Sequence, residues 1–411
     1  MYKKKIVLWH KVIFVAIVLL GFTHVSAQSI PAKFGKGLRI MGKDSTFYMK
    51  FGLRFQTLYT GEWDLADDKL SNLENYETGF LIRRARFKFG GWAVSPKLTY
   101  KFELALSNRD ISGGISSEFR TAPKLVLDAS VEWNFYKNFS VLFGQRKLPG
   151  NRERVISSGD LQFVDRSRLN SRYNIDRDVG LQFKHKLKLG KSLIKSTIAI
   201  SEGEGRNVTQ GNFGGTGYTF RVEYLPMGKF GSKGEYVGAD VSRTKTPKLA
   251  IGLSYDTNRG AVRERGQLGE FIQNADGDYI GKNLNTVFAD LMFKYQGFSV
   301  MTEYVHKRTG DNDPFVFEET ENGPNLIGTF FTGTGLNMSV GYVMKNNYEV
   351  AIRYTDINPD AGVARDEKHY TLGISKYVVG HKLKVQTDFS FINIQAGNDA
   401  LLIRAQVDIH F

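Results

Sequence analysis

Alternation of apolar and polar residues is the feature that most restricts the fold of this 411-residue chain. In the segment KLTYKFELALS (97–107), leucine, tyrosine and phenylalanine share one parity, while lysine, threonine and glutamate share the other. The last segment, LLIRAQVDIHF (401–411), sorts in the same way and ends on an aromatic residue. A strand places alternate residues on opposite faces, whereas a helix would scatter them around its circumference. The pattern therefore predicts β-strands.

The same alternation recurs often enough to predict sixteen strands. They cover approximately residues 46–60, 80–94, 97–107, 124–136, 138–146, 178–188, 193–202, 216–226, 246–257, 285–296, 297–308, 334–345, 347–356, 368–377, 381–393 and 400–411. Short turns alternate with longer polar connections, except that the connection 227–245 is too long for the short turn expected there. In the second strand the parity slips at Gly90-Gly91, where a β-bulge would return Trp92 to the apolar face.

An even number of amphipathic strands with alternately short and long connections is typical of bacterial outer-membrane barrels. Ten residues at ~3.3 Å per residue, tilted by ~40°, cover about 25 Å, which is the height of the apolar band of such barrels. The predicted fold is an all-β, 16-stranded antiparallel transmembrane β-barrel with both chain ends on the periplasmic side. A soluble β-sandwich is the alternative, but its strands would not all need to span one fixed distance.

The N-terminus has the layout of a secretory signal peptide. Lys3, Lys4 and Lys5 precede an apolar run at 12–22, and Val25-Ser26-Ala27 offers small residues before a cleavage site. The predicted division is a signal peptide at 1–27 and a barrel at 28–411, in the outer membrane of a Gram-negative bacterium. Removing 1–27 deletes four lysines and no acid, so the net charge falls from +14 to about +10. A charge this positive suggests anionic partners.

If the apolar face meets lipid, the polar face lines the lumen, because a lysine or arginine facing lipid near the midplane costs about 2–4 kcal/mol. The predicted lumen-facing cations are Lys50, Arg54, Arg84, Arg86, Lys88, Lys101, Lys184, Lys186, Arg221, Lys294, Lys307, Arg353, Lys384 and Arg404. The predicted lumen-facing acids are Glu103, Asp128, Glu132, Glu223, Asp290, Glu303, Glu349, Asp388 and Asp408. This excess of cations predicts a positive interior. Arg83 has lipid parity, near the outer end of its strand.

Residues 147–177 form the third and longest predicted outer loop. From Arg146 to Arg177 the chain carries eight arginines and lysines but four acids. Because sixteen strands leave a channel too wide to select by itself, such a loop folded into the lumen would form a basic constriction. Fixed charge acts across a constriction, since the Debye length is about 8 Å at physiological ionic strength. The alternative is a solvated loop on the cell surface. For Arg84, Arg86 and Lys88, which share one inner wall, the alternative is that they only pair with lumen acids and hold the wall rigid.

Three segments and the aromatic C-terminal strand resemble the phosphate-selective porin O and P family. The segments are FLIRRARFKFGGW (80–92), GQRKLPGN (144–151) and LQFVDRSRLNSRYNIDRDVGLQF (161–183). The resemblance implies a sixteen-stranded outer-membrane channel, usually trimeric, with a basic constriction. It also implies candidate anion contacts at Arg84, Arg86, Arg146, Lys147, Arg152, Arg154, Arg166 and Arg168. We add Arg54 to these candidates because its parity places it in the lumen.

The predicted function is a porin that forms a water-filled, anion-selective channel for passive diffusion of phosphate or polyphosphate-like small anions. We expect no catalysis, no cofactor, no metal and no nucleic-acid partner, and a homotrimer in outer-membrane lipid. A general nutrient porin without phosphate specificity and a surface binding protein on a closed barrel are the alternatives. An outer-membrane enzyme would need a serine and a histidine side by side, and nothing in the sequence selects such a pair.

Overall fold

The alternating segments form a closed antiparallel barrel in the computed structural model, which describes residues 27–30, 33–66, 72–114, 116–209 and 211–411. The predicted signal peptide lies outside the described residues except for Ala27. No helix in the described part of the chain is long and apolar enough to cross a membrane.

The strands are numbered in chain order. They are β1 (Ala27–Ile30), β2 (Leu38–Gly42), β3 (Phe47–Leu65), β4 (Leu73–Ala93), β5 (Ser95–Ala105), β6 (Val126–Tyr136), β7 (Phe139–Lys147), β8 (Arg177–Leu189), β9 (Ser192–Ser201), β10 (Gly217–Leu225), β11 (Lys248–Ala261), β12 (Lys282–Tyr295), β13 (Phe298–Thr309), β14 (Phe315–Thr320), β15 (Gly323–Thr329), β16 (Gly333–Val343), β17 (Tyr348–Pro359), β18 (Glu367–His381), β19 (Leu383–Ile394) and β20 (Asp399–His410). The short α-helices are α1 (Asn108–Ile111), α2 (Arg152–Val155) and α3 (Arg168–Tyr173), and 3₁₀ turns occur at Ser117–Phe119, Ser158–Asp160 and Gly231–Tyr236.

Sixteen of the described strands, β3 to β13 and β16 to β20, close into one barrel. Consecutive barrel strands pair antiparallel, and β20 closes the sheet by pairing with β3 from Asp399↔Leu65 to His410↔Arg54. The β14–β15 hairpin forms a separate two-stranded sheet, so β13 pairs directly with β16. Each of the sixteen predicted strands corresponds to one barrel strand, which confirms the predicted fold. The β1–β2 hairpin extends the sheet beside the lower part of β3.

The register of β4 with β3 shifts at Arg83, and again nearer the outer end beside Glu62 and Asp64, but not at Gly90-Gly91. The register between β3 and β4 is continuous from Phe47↔Ala93 to Gln56↔Arg84 and then passes to Thr57↔Ile82, leaving one extra residue. A bulge of this kind redirects a side chain. The Arg83 guanidinium therefore reaches Asp165 inside the barrel, at 2.7 Å, instead of facing lipid as its parity predicted.

Gly91 is needed for close packing of the backbone rather than for a bulge between β3 and β4. A Cβ atom at this position would overlap the Tyr48 carbonyl oxygen on β3. The prediction of a bulge at Gly90-Gly91 was therefore wrong for the edge of β4 that pairs with β3. On the opposite edge, toward β5, the register breaks only after Trp92, where the chain turns.

The two faces of the barrel differ as the alternation predicts. Large apolar side chains cover the outside, with Phe80 84% exposed and Phe143 65% exposed. Charged side chains on the opposite parity lie inside, and Arg54 and Lys384 are almost completely buried there. In a membrane the exposed apolar face is the one that lipid would cover.

Residues 148–176, which we call the inner loop, lie inside the barrel and pack against one side of it. Leu148, Leu169 and Tyr173 form a buried apolar cluster with side chains from β12, β13 and β17, among them Phe288 and Val305. Because this cluster is closely packed, that side of the lumen is filled rather than open to water. The remaining cavities lie between the inner loop and the part of the wall that includes β3 to β10.

Residues 226–247, which we call the inner turn, also enter the barrel, from the periplasmic end where Phe411 lies. Phe230 and Ala239 are buried. The Gly238 N–H donates to the Asp160 carbonyl oxygen of the inner loop at 2.6 Å. This segment includes the connection 227–245, which is too long for the short turn predicted there. It is long because it folds into the barrel interior.

We expect the apolar cluster to fix the inner loop in place. Leu169→Ala removes a fully buried side chain, and substitutions of this kind cost about 2–5 kcal/mol. Trypsin should then cut the folded protein in detergent within residues 152–172 faster than it cuts the parent protein.

Leu187→Ala is the matched control, because Leu187 is 42% exposed on the outer face of β8. It should leave the rate of cleavage in the inner loop unchanged. Equal cleavage rates for Leu169→Ala and the parent protein would contradict the anchoring by this cluster.

Candidate functional site

Arg54, one of the predicted anion contacts, anchors the inner loop to the barrel wall. Its Nε and Nη2 atoms donate to the Asp408 carboxylate at 2.8 and 2.7 Å. Its Nη1 atom donates to Ser158 Oγ of the inner loop at 2.7 Å. Since this guanidinium is buried and its charge is balanced by a carboxylate, the structure gives it a role in holding the loop.

Arg152 is a second anchor and is completely buried. Its Nε donates to Asp290 Oδ1 at 2.7 Å, and its Nη2 lies 3.1 Å from Glu223 Oε1. Its Nη1 donates to the Glu235 carbonyl oxygen of the inner turn at 2.9 Å. Arg152 thus joins the inner loop, the wall and the inner turn, and it does not line the cavity described next.

A cavity of about 230 Å³, which we call the outer cavity, lies between the inner loop and the wall formed by β4, β7 and β8. Its charged lining, among the described residues, is mostly cationic. The cations are Arg83, Arg84, Arg86, Arg109, Lys147, Arg154, Arg166, Arg177 and Arg206, and the acids are Asp110, Asp165 and Asp176. Five of the predicted anion contacts, from separate parts of the sequence, therefore meet in one place.

Asp165 holds two adjacent arginines of β4 against this cavity. Its carboxylate oxygens lie 2.7 Å from Arg83 Nη2 and 3.0 Å from Arg84 Nη2. Burial alone would raise the pKa of Asp165, but these two guanidinium groups hold that pKa well below its usual range. The Arg84 Nε atom is buried without a hydrogen-bond partner among the described residues, so it keeps a donor free.

Three cations of the outer cavity are held by backbone carbonyl oxygens. Lys147 Nζ donates to the carbonyls of Arg154, Val155 and Ile156, at 2.6, 3.2 and 3.0 Å. Arg166 donates to the carbonyls of Glu153 and Ile156, at 2.9 and 2.7 Å. Arg206 donates to the carbonyls of Lys124 and Asp110, at 3.1 and 2.8 Å.

None of these three cations forms a direct ion pair with a carboxylate in the described part of the chain. Burial lowers the pKa of Arg166 to about 10, and Glu153 and Asp165 oppose the shift. Burial, helped by Arg177, also lowers the pKa of Arg206 to about 10. Both guanidinium groups are therefore charged at neutral pH, and their positive charge is held in place without being neutralised.

Arg154 completes the cationic side of the inner loop. It pairs with Asp176, yet its buried Nε atom has no hydrogen-bond partner among the described residues. Burial and the neighbouring Arg166 and Arg177 hold its pKa well below the usual range of arginine. Bringing an anion close would relieve this repulsion between like charges.

Arg86, Lys147 and Arg177 line both the outer cavity and a larger one of about 740 Å³, which we call the inner cavity. We call these three residues the waist. Arg86 Nη1 lies 3.2 Å from Glu103, and Arg177 Nε lies 2.8 Å from Asp128. Cations thus continue from one cavity into the next.

The remaining two predicted contacts lie away from the outer cavity. Arg146 lines the inner cavity, where its Nη1 donates to Ser130 Oγ at 3.1 Å. Arg168 pairs with Glu367 of β18 at 2.5 and 2.7 Å, with its side chain 35% exposed. Glu367 also accepts from Arg172, so this pair ties α3 to the wall.

Sequence reasoning did not single out Arg83, Arg109, Arg177 and Arg206. Arg83 was assigned to lipid because the bulge was placed elsewhere. Arg177 closes the basic stretch and directly precedes a predicted strand, which is a signal that could have been used. Arg109 and Arg206 come from other outer loops, and nothing in a single sequence shows which loops meet. No group of three or more acidic, histidine or cysteine side chains in the described residues is placed to hold a metal ion.

A sequence profile of the family described as phosphate-selective porin O and P matches residues 59–395. The chain belongs to this family. The family and the sixteen-stranded barrel make it a multi-pass channel of the Gram-negative outer membrane. Both the family and the barrel fold indicate a channel rather than an enzyme.

One relative is similar in sequence, and solved outer-membrane proteins are similar in fold. An uncharacterised protein of Aquifex aeolicus (strain VF5) is 24% identical over 360 residues, covering 79% of this chain and 78% of the relative. The OmpF porin of Salmonella typhi, solved in complex with daunomycin, has a TM-score of 0.53 at 12% identity, covering 93% of this chain and 100% of the other. The outer-membrane channel DcaP of Acinetobacter baumannii has a TM-score of 0.52 at 10% identity, covering 90% and 99%.

We expect the Arg152 anchor to contribute measurably to stability. Arg152→Met leaves Asp290 and Glu223 buried, with Arg221 to balance both and Lys195 3.8 Å from Glu223, and breaking a buried ion pair costs about 3–5 kcal/mol. Guanidinium unfolding of the refolded protein in detergent should show a lower midpoint. Arg168→Met removes a half-buried guanidinium and leaves Glu367 paired with Arg172, so it should shift the midpoint much less. Equal shifts for the two variants would contradict the anchor.

Proposed function

We propose that this porin is an anion-selective channel for passive diffusion of small inorganic anions such as phosphate. The observation that carries the proposal is the convergence of Lys147, Arg166 and Arg206 on the outer cavity, each held by carbonyl oxygens and none by a carboxylate. The basic residues of the inner loop act here as a constriction, as the sequence predicts.

Carbonyl groups orient a cation without cancelling its charge, because they carry no net charge. The positions of the three side chains are therefore set before an anion arrives, and less entropy is lost when it binds. At the width of a narrow pore such charge is only partly screened, since the Debye length is about 8 Å at physiological ionic strength. Rings of arginine and lysine select for anions on this basis.

Guanidinium groups also suit phosphate by shape. Each presents parallel N–H donors that match two oxygens of a phosphate group. Arg84 and Arg154 line the outer cavity, so their guanidinium groups lie where such contacts would form. Because Asp165 and Asp176 compete for the same arginines, an anion would be held briefly and then released, as diffusion through a pore requires.

The same proposal includes removal of residues 1–27 on export and assembly as a homotrimer. Both follow from the sequence and from the family resemblance. Intact mass of the protein isolated from outer membranes tests the cleavage before Gln28, and cross-linking of the protein in detergent tests the trimer.

Reversal potentials in planar bilayers under a KCl gradient test the selectivity. We expect the parent channel to prefer chloride and to show a lower chloride current when phosphate is added. Removing one uncompensated charge weakens attraction at 4 Å by at least about 1 kcal/mol, so phosphate should block Arg206→Gln at roughly fivefold higher concentration. Arg166→Gln should behave in the same way.

Arg168→Gln is the matched control, because it removes an arginine of the same loop that lies outside the cavity. It should keep the selectivity and the phosphate block of the parent channel. Anion preference without a phosphate block would support a general porin. Cation preference in the parent, or equal effects of Arg206→Gln and Arg168→Gln, would contradict the proposal.

A further inference from the structure

The inner cavity, on the periplasmic side of the waist, differs from the outer cavity in size and lining. Its volume is about 740 Å³ against about 230 Å³ for the outer cavity. Cavities that bind organic molecules commonly measure about 300–1,000 Å³. An inorganic phosphate would touch only a small part of such a surface, so the inner cavity is suited to a larger solute.

One wall of the inner cavity is cationic. Lys101, Arg146, Lys184 and Lys195 come from four different wall strands, β5, β7, β8 and β9. Acids are present too: Lys101 pairs with Asp128 and Glu103, Glu132 lies 2.9 Å from Lys184, and Glu235 pairs with Lys195. Cations nevertheless outnumber acids among the lining residues, so this wall attracts an anionic group.

The opposite wall comes from the inner loop and the inner turn and carries apolar side chains among polar ones. Val155 and Pro149 belong to the loop, and Phe230 and Tyr236 belong to the turn. The Tyr236 ring lies 4.7 Å from Lys195 Nζ, which places a ring face beside a cation. A ligand that matches this cavity carries an anionic group for the cations and an apolar group for the apolar side chains.

This second wall is held firmly. The Arg152 Nη1 atom donates to the Glu235 carbonyl oxygen at 2.9 Å, immediately before Tyr236. Lys294 Nζ donates to the Val237 carbonyl oxygen at 2.7 Å, and the turn also bonds to the inner loop through Gly238. The spacing between the two walls is therefore set by buried contacts, as in a preformed binding site.

We propose that the inner cavity is a second binding site, for organic anions that carry an aromatic ring next to a phosphate or carboxylate group. The anionic group binds the lysines and arginine of the wall strands, and the ring packs against Val155 and the inner turn. This inference rests on the proposed function, because it needs a lumen that admits anions. The second site would add a class of substrate that is too large for the outer cavity to enclose.

Phenyl phosphate and methyl phosphate are a matched pair of probes, since they share a head group and differ in the ring. Each is added on the periplasmic side of single channels of the refolded mature protein in a planar bilayer, and the chloride current is recorded. We expect phenyl phosphate to reduce the current at roughly tenfold lower concentration, because only the ring buries apolar surface.

Two variants separate the contributions of ring and charge. Val155→Thr keeps the shape but puts a hydroxyl on the wall opposite the cations, and it should reduce the preference for phenyl phosphate severalfold without changing the effect of methyl phosphate. Val363→Thr makes the same change in a loop at the opposite end of the barrel and should change neither. Arg146→Gln removes a wall-strand cation that forms no ion pair in the described part of the chain and should weaken both probes equally.

The outcomes distinguish this inference from the proposed function. An anion-preferring channel on which the two probes act at equal concentrations would overturn the second site while leaving the proposed function intact. A channel without anion preference would overturn both. A preference for phenyl phosphate that Val155→Thr and Val363→Thr reduce equally would also overturn the site, because the ring would then bind elsewhere.

Discussion

The absence of water in the lipid core is the constraint on which the rest of this structure depends. Every backbone N–H and C=O group there must be paired within the protein, and a closed barrel is the arrangement of strands that achieves this. Pairing of β20 with β3 removes the last free edge of the barrel. Closure with sixteen strands leaves a lumen that wall side chains alone do not fill. The inner loop and the inner turn fill part of it from opposite ends.

The buried charges of the lumen divide according to what balances them. Arg54 and Arg152 lie against carboxylates, and these pairs hold the inner loop at fixed points on the wall. Lys147, Arg166 and Arg206 lie against carbonyl oxygens, and in the proposed function the charge of the two arginines attracts a solute. Arg152 and Arg166 belong to the same loop and have the same chemistry. Only their partners separate an anchoring role from the role proposed in conduction.

The barrel could be predicted from the sequence because period-two alternation depends only on what each face meets. Strand number and the lipid-facing side follow from that rule without knowledge of long-range contacts. The orientation of Arg83 could not be predicted, since its bulge serves a contact with Asp165, far along the chain. The same limit applies to the site. Parity identified Arg84 as a lumen cation and the family resemblance named Arg166, but parity gave Arg54, and the resemblance gave Arg152, the same standing.

The inner turn shows how an exception to a pattern can be informative. Periplasmic turns of outer-membrane barrels are short, so a long polar connection on that side needs an interior function or a partner. Here its backbone supplies the contacts: Gly238 donates to Asp160, and the carbonyl groups of Glu235 and Val237 accept from Arg152 and Lys294.

Gly238 is part of this fit, because a Cβ atom there would lie 2.6 Å from the Gln162 backbone nitrogen of the inner loop. Removing either element would leave buried polar groups of the other without partners, which is costly. The inner loop and the inner turn therefore depend on each other structurally. A variant that displaces the turn should alter the outer cavity as well as the inner one, because both cavities are lined by the same loop.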